Sequence, residues 1–172
     1  MKTVGIATIH GICNFGSLLQ SYATQKVVNK LGYKAEIINY KYPNEYHLSE
    51  IATKSPYATS TLPFFTRLRI ALYSRAMARY DIQKKETLFK IERKKMLQQS
   101  NEYLNQTSIR VNPPKYDIYL TGSDQVWNPR YMYDDTTYLL DFVHNVPKVA
   151  YSASFGTKSI TQYHYENSQV SR

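Results

Sequence analysis

Residues 3–40 constrain the fold more than any other part of the chain. Thr3–Ile9, TVGIATI, is short, β-branched and nearly all apolar, which suits a strand buried on both faces. From Gly16 the pattern changes. Leu18, Leu19, Tyr22, Ala23, Val27 and Leu31 recur at helical spacing, with Gln20, Gln25 and Lys30 facing elsewhere. Gly32 follows Leu31, where a helix stop is expected. Ala35–Tyr40, AEIINY, then reads as a second strand. Strand, helix, glycine, strand is a βαβ unit. The expected fold class is therefore α/β, a Rossmann-like parallel sheet with flanking helices and a right-handed crossover.

Beyond Tyr40 the pattern breaks. Residues 41–63 carry Pro43, Pro56 and Pro63 among many polar residues and predict a loop excursion. Residues 64–97 predict a helical segment in two pieces, with Leu68, Leu72, Met77, Leu88, Ile91 and Leu97 among many charges. Residues 98–114 are polar and end in Pro113-Pro114. A third strand, Tyr116–Leu120, then stops at Thr121-Gly122. TYLLDF (Thr137–Phe142) and KVAYSAS (Lys148–Ser154) read as two more strands or extended segments. The expected domain spans 1–156, followed by a polar tail over 157–172.

With 172 residues, 42% of them hydrophobic, the chain has the material for one domain with a real core. Cys13 is the only cysteine, so no internal disulfide forms, which fits a reducing compartment. No apolar run reaches the ~18 residues of a membrane span. The expected location is cytoplasmic, either free or peripheral at the inner face of the membrane. The net charge of +9 favours anionic partners such as phosphates, nucleic acid or an acidic membrane face. Arg67–Lys95 holds ten basic residues against three acidic ones. That stretch is read either as a patch for a polyanion or the anionic inner face of a membrane, or as the solvated face of a helix pair. Its aromatic residues do not form a base-stacking module, so no nucleic acid is expected.

Three blocks carry a resemblance: NFGSLLQSYA (Asn14–Ala23) opening the first helix, GSDQVWNP (Gly122–Pro129) ending a strand, and YLLDF followed by YSASFG (Tyr151–Gly156). In order and spacing they resemble the polysaccharide pyruvyl transferase family, from the first strand to Gly156. GSDQVWN is the specific signal. Thr24 departs from the apolar residue usual at its position.

The resemblance implies one half of a two-domain fold like that of glycosyltransferases, two Rossmann-like halves facing a cleft. It implies transfer of the enolpyruvyl group of phosphoenolpyruvate onto two sugar hydroxyls as a cyclic ketal, in surface polysaccharide biosynthesis. Phosphoenolpyruvate is then the donor substrate and no cofactor is expected. The partner is a sugar or lipid-linked saccharide acceptor. Family members run about twice this length, so the expectation is the N-terminal, acceptor-side half. It would be completed by a C-terminal domain, a homodimer or a separate chain. The alternative is a non-catalytic remnant or a partner-dependent sugar-binding subunit.

Ketal transfer needs a base for the attacking hydroxyl, an acid for the vinyl carbon and groups that hold an anion. Asp124, just past the carboxyl end of a strand, is the candidate base or hydroxyl ligand, with Ser123 beside it as a candidate substrate-binding residue. The competing reading has Ser123 and Asp124 capping the next turn. Gln125 and Asn128 can hold sugar hydroxyls, and Trp127 is either a stacking platform or core. Asn14 and Gly16 sit at the first strand-to-helix turn, offering free amides to an anion or serving as a plain cap. His10 stands at the mouth of that turn, either as an acid or phosphate ligand or as a structural residue, and Ser154 ends the last strand as a candidate lining of the ligand edge. Asp141 reads as structural. The other histidines lack partners at ligand spacing, so no metal site is expected.

Overall fold

The structure is a computed structural model and describes residues 1–41, 83–128 and 135–156. The excursion predicted over 41–63 (Lys41 apart), the first part of the predicted helical segment (64–82) and the tail over 157–172 lie outside the described residues.

Four strands form one all-parallel sheet: β1 (Thr3–Ala7), β2 (Lys34–Ile37), β3 (Ile118–Gly122) and β4 (Lys148–Tyr151). Their spatial order is β2-β1-β3-β4. Val4 pairs with Ala35 on one side and Ile118 on the other, and Tyr119 pairs with Lys148. The apolar TVGIA sequence becomes the central strand because both its faces are covered. α1 (Phe15–Lys30) crosses from β1 to β2, as the βαβ pattern predicts. A helix over 83–96, α2, precedes an extended stretch that runs beside β2, with bridges Ile37 to Gln99 and Tyr40 to Tyr103. A short helix, α3 (Gln106–Val111), interrupts the polar region before Pro113. It is opened by a capping box between Asn105 and Ser108.

The core has two halves, one per sheet face. Val4, Ile6, Ala35 and Ile37 point to the side of α1 and α2, where Leu18, Val28, Phe89 and Leu97 meet them. Ala7, Ile9, Ile38, Tyr40 and Tyr119 point the other way, onto Ile109, Val126, Tyr138 and Phe142. On this second face Gly5 is a glycine for a steric reason: a Cβ there would lie 2.2 Å from Tyr116 Cδ2. The Tyr116 ring crosses β1 at that point and its hydroxyl donates to Glu36.

Two expectations change. TYLLDF is not a strand. Thr137–Leu139 is one 3-10 turn, and Leu140 follows with a left-handed φ of 58°. Tyr138, Leu140 and Phe142 are buried because the turn caps the second core half, not because it joins the sheet, and Leu139 is exposed. The Tyr138 carbonyl accepts from Thr121 Oγ1 at 2.8 Å and from Trp127 Nε1 at 3.1 Å. The buried face of α1 is only in part the apolar ridge expected, with Leu18 buried and Tyr22 packed against the core. Ser17, Leu18, Ser21, Thr24, Gln25 and Val28 point inward, and Leu19, Ala23, Val27 and Leu31 point out.

The polar inward face of α1 is satisfied locally. Ser21 Oγ donates to the Ser17 carbonyl at 2.7 Å and Thr24 Oγ1 to the Gln20 carbonyl at 2.8 Å. Gln25 Nε2 donates to the Gln98 carbonyl at 2.8 Å, and its Oε1 accepts from the Gln98 amide at 3.1 Å. Small and hydrogen-bonded residues allow the helix to approach the sheet closely, although Gln20 Oε1 is buried without a partner among the described residues.

Candidate functional site

The carboxyl ends of β1, β3 and β4 and the amino end of α1 converge on one edge of the sheet. In open α/β sheets this is the edge at which ligands bind. β1 runs out through Thr8 to His10, and its partner β3 ends at Gly122. The two meet again just past the strands, where Thr8 Oγ1 donates to the Gly122 carbonyl at 2.9 Å.

The backbone there is unusual. Gly122 has φ 128°, and a Cβ would lie 2.1 Å from the Tyr151 carbonyl oxygen. Ser123 (φ 63°) and Ser152 (φ 49°) both take the left-handed conformation without being glycine. Such conformations cost about 1–3 kcal/mol and concentrate at functional sites. At Ser123 the bend aims the next residue, Asp124, back toward α1. Asp124 is half-buried, its Oδ1 accepts from the Gln125 amide at 2.7 Å, and its Oδ2 accepts from Ser17 Oγ at 3.3 Å. The second contact joins the two separated motifs, NFGS and GSDQ.

Gln125, Trp127 and Asn128 are engaged inside the chain. Asn128 Nδ2 donates to Gln125 Oε1 at 2.9 Å. The Trp127 ring packs on the second core half and lies 5.6 Å from the Phe155 ring centroid. The Trp127 amide donates to the Ser154 carbonyl, and the Ser154 amide to the Asp124 carbonyl, both at 3.2 Å. GSDQVWN and YSASFG thus form one clasp. Ser154 contributes its backbone to it, and its side chain stands on the exposed surface. Gly156 closes the clasp with φ 64°, over the Gln125 and Asn128 side chains.

Asn14 is the N-cap of α1. Its Oδ1 accepts from the Gly16 amide at 2.8 Å and the Ser17 amide at 3.3 Å. Two of the amides that the sequence offers to an anion are therefore taken by the cap. Gly16 is exposed in the first turn. His10 is buried, with Nδ1 2.9 Å from the Thr8 carbonyl and Nε2 3.3 Å from Asn39 Oδ1. Burial is the main force holding its pKa below the ordinary value, and the Arg93 charge adds to it. Asp141 pairs with Arg110 and accepts from Thr136, partners outside the NFGS and GSDQ motifs.

Three residues of the edge escape a reading by motif. Ser17 is the partner of Asp124 and lies inside the NFGS block. Gln20 reaches back from α1 to Thr8 Oγ1 at 2.8 Å and the Ile9 carbonyl at 3.2 Å. Asn39 holds His10 from the end of β2. The helical spacing of Ser17 and Gln20 is the one signal that points to those two, since both face the strand ends from the first two turns of α1.

Among the described residues no cluster of three or more His, Cys, Asp or Glu side chains is placed to hold a metal. None of their helices is long and apolar enough to cross a membrane. The arrangement offers one hydrogen-bonded carboxylate at a sheet edge, beside a capped helix start and two strained turns. No curated protein and no solved structure matches the chain. A family model does, over residues 14–169, and it is that of polysaccharide pyruvyl transferase. The match covers nearly the whole chain and includes both motifs that meet at Ser17 and Asp124, so the chain belongs to the polysaccharide pyruvyl transferase family.

Proposed function

We propose that these residues form the acceptor-side domain of a pyruvyl transferase, with Asp124 as the group that receives the sugar hydroxyl. The observation that carries the reading is the Ser17 to Asp124 contact at the carboxyl edge of a parallel sheet. The donor in this proposal is phosphoenolpyruvate, with no cofactor. One hydroxyl of the sugar adds to the enol carbon while the methylene gains a proton and becomes a methyl group. The C–O bond to phosphate then breaks and the second hydroxyl adds at the same carbon. The two hydroxyl protons end on the methyl group and on the released phosphate, which balances the transfer.

Asp124 keeps one side of its carboxylate toward Ser17, whose hydroxyl fixes its orientation. As a base it requires the reacting sugar hydroxyl to bind within ~3 Å of this carboxylate. Phosphoenolpyruvate carries a phosphate and a carboxylate, and the amides at the start of α1 are largely used by Asn14. The donor pocket in this proposal is therefore completed by groups of a second domain or chain. The proposed location is cytoplasmic, in keeping with one free, exposed cysteine, Cys13.

The test is phosphate release and pyruvyl transfer to a polysaccharide acceptor, with the protein purified together with whatever chain accompanies it. Asp124→Asn is expected to lower turnover by roughly 10²- to 10⁴-fold with an unchanged melting temperature. Near-normal turnover in that variant would reduce Asp124 to a turn residue.

A further inference from the structure

The outer face of α1 is apolar. Phe15 is 67% exposed, Leu19 54%, Val27 56% and Leu31 69%. With Ala23, also exposed, they recur every fourth residue and form one ridge along the helix. The ridge is not an accident of a thin core, because the opposite side of the same helix buries Ser, Thr and Gln. α2 lies alongside: the Phe15 and Phe89 rings meet edge to face at 5.9 Å, and Gln25 grips Gln98 just past the far end of α2. α2 sends Phe89 into the core and turns Leu88 and Ile91 outward, at 54% and 45% exposure.

The same two helices are strongly basic. They carry Lys26, Lys30, Lys84, Lys85, Lys90, Arg93, Lys94 and Lys95 against two acids, Glu86 and Glu92. α1 has no acidic residue at all. All the lysines in this set are exposed. An occupant of this face must therefore accept both an apolar ridge and an excess of positive charge. A second copy of the chain docking about a two-fold axis brings like charge onto like charge. Nucleic acid answers the charge and leaves the ridge in water. A bilayer of acidic lipid answers both. Apolar side chains enter the boundary between headgroups and acyl chains, and lysines beside them meet the phosphates.

We propose that the paired outer faces of α1 and α2 are a docking surface for an acidic lipid bilayer. The ridge begins at Phe15, so docking brings the sheet edge that holds Ser17 and Asp124 next to the membrane surface. The proposal stands whether or not the chain transfers pyruvyl groups, and its test does not use activity.

The intact chain is floated with vesicles of phosphatidylcholine alone and of phosphatidylcholine mixed with phosphatidylglycerol. Binding is expected only to the mixed vesicles, and it falls as salt is raised. The pair Leu19→Gln with Val27→Gln and the pair Lys84→Gln with Lys85→Gln are each expected to weaken it about tenfold or more. Both pairs change outward-facing residues, and an unchanged melting temperature shows that the fold is kept. No binding to the mixed vesicles overturns the proposal. So does binding that ignores either pair, or a duplex DNA that binds as tightly and is indifferent to the Leu19 and Val27 changes. A dimer that Leu19→Gln dissociates, with no vesicle binding, assigns the face to a second copy instead.

Discussion

Ser17 Oγ donates to Asp124 Oδ2 at 3.3 Å, across 107 residues of sequence. Ser17 is itself held at the first turn of α1 by the Asn14 cap. If Ser17 acts by orienting Asp124, the two residues form a unit and their effects do not add. Ser17→Ala alone is expected to lower kcat/KM about fivefold, the value of roughly 1 kcal/mol for a long hydrogen bond. In an Asp124→Asn background the same change is expected to have almost no further effect. A double-mutant cycle on kcat/KM measures this. Effects that multiply independently show that Ser17 serves the helix and not the carboxylate.

Gly156→Ala tests the clasp. Gly156 has φ 64°, and a Cβ would sit 2.3 Å from Gln125 Oε1 and 2.7 Å from Asn128 Nδ2. The left-handed conformation costs a non-glycine residue about 1–2 kcal/mol, before any clash. The substitution is expected to destabilise by about 2 kcal/mol or more, a drop of roughly 5 °C in Tm for a chain of this size. Adding Gln125→Ala removes the nearest obstruction and is expected to recover part of that loss. If Gly156→Ala leaves Tm unchanged, the YSASFG turn is not held against GSDQVWN in solution.

Much of this was legible in the sequence, and the part that was not has a common cause. β1, α1, β2, β3 and β4 follow from apolar runs and a glycine stop, because each strand is marked by its own side chains. TYLLDF misleads, since burial under a turn and burial in a strand select the same aromatic and aliphatic residues. The distinction lies in which backbone pairs with it, here Thr121 and Trp127 side chains in place of a neighbouring strand. The inner face of α1 misleads for the opposite reason. Serine, threonine and glutamine look solvated by pattern but pair at close quarters with backbone carbonyls. For GSDQVWN, the motif reading located the sheet edge. The division of labour within it, Asp124 toward α1 and Gln125, Trp127 and Asn128 toward YSASFG, depends on contacts that no spacing encodes.

His10 makes stability depend on pH. Its pKa is lowered from 6.5 mainly by burial, so the folded chain keeps it neutral at pH 7. Once unfolded, the ring regains its ordinary value and takes up a proton more readily. The unfolded state then binds more protons, and stability falls as pH drops below about 6.5 toward the folded value. The slope from this one group is at most about 1.4 kcal/mol per pH unit. Thermal melts of the native chain between pH 7.5 and pH 5 (about one unit either side of the ordinary value) are expected to show the decline. His10→Gln is expected to flatten it over that window. An equal decline in His10→Gln assigns the pH dependence to other groups.

The inverted face of α1 gives the sharpest test of the packing. By hydrophobic pattern Leu19 belongs to the core and Gln25 to solvent. In the fold Gln25 is buried and holds both the carbonyl and the amide of Gln98, as well as the Ala35 carbonyl at 3.2 Å. Truncating it leaves backbone groups of the β2 edge without partners, at about 1–3 kcal/mol. Leu19 is exposed, and its truncation removes little buried area. Gln25→Ala is therefore expected to cost about 2 kcal/mol or more, and Leu19→Ala less than about 0.5 kcal/mol. Urea denaturation of the two variants, compared at constant m-value, decides it. The reverse order means that α1 is rotated about its axis so that its apolar ridge faces the sheet, and the ridge is then unavailable for any partner.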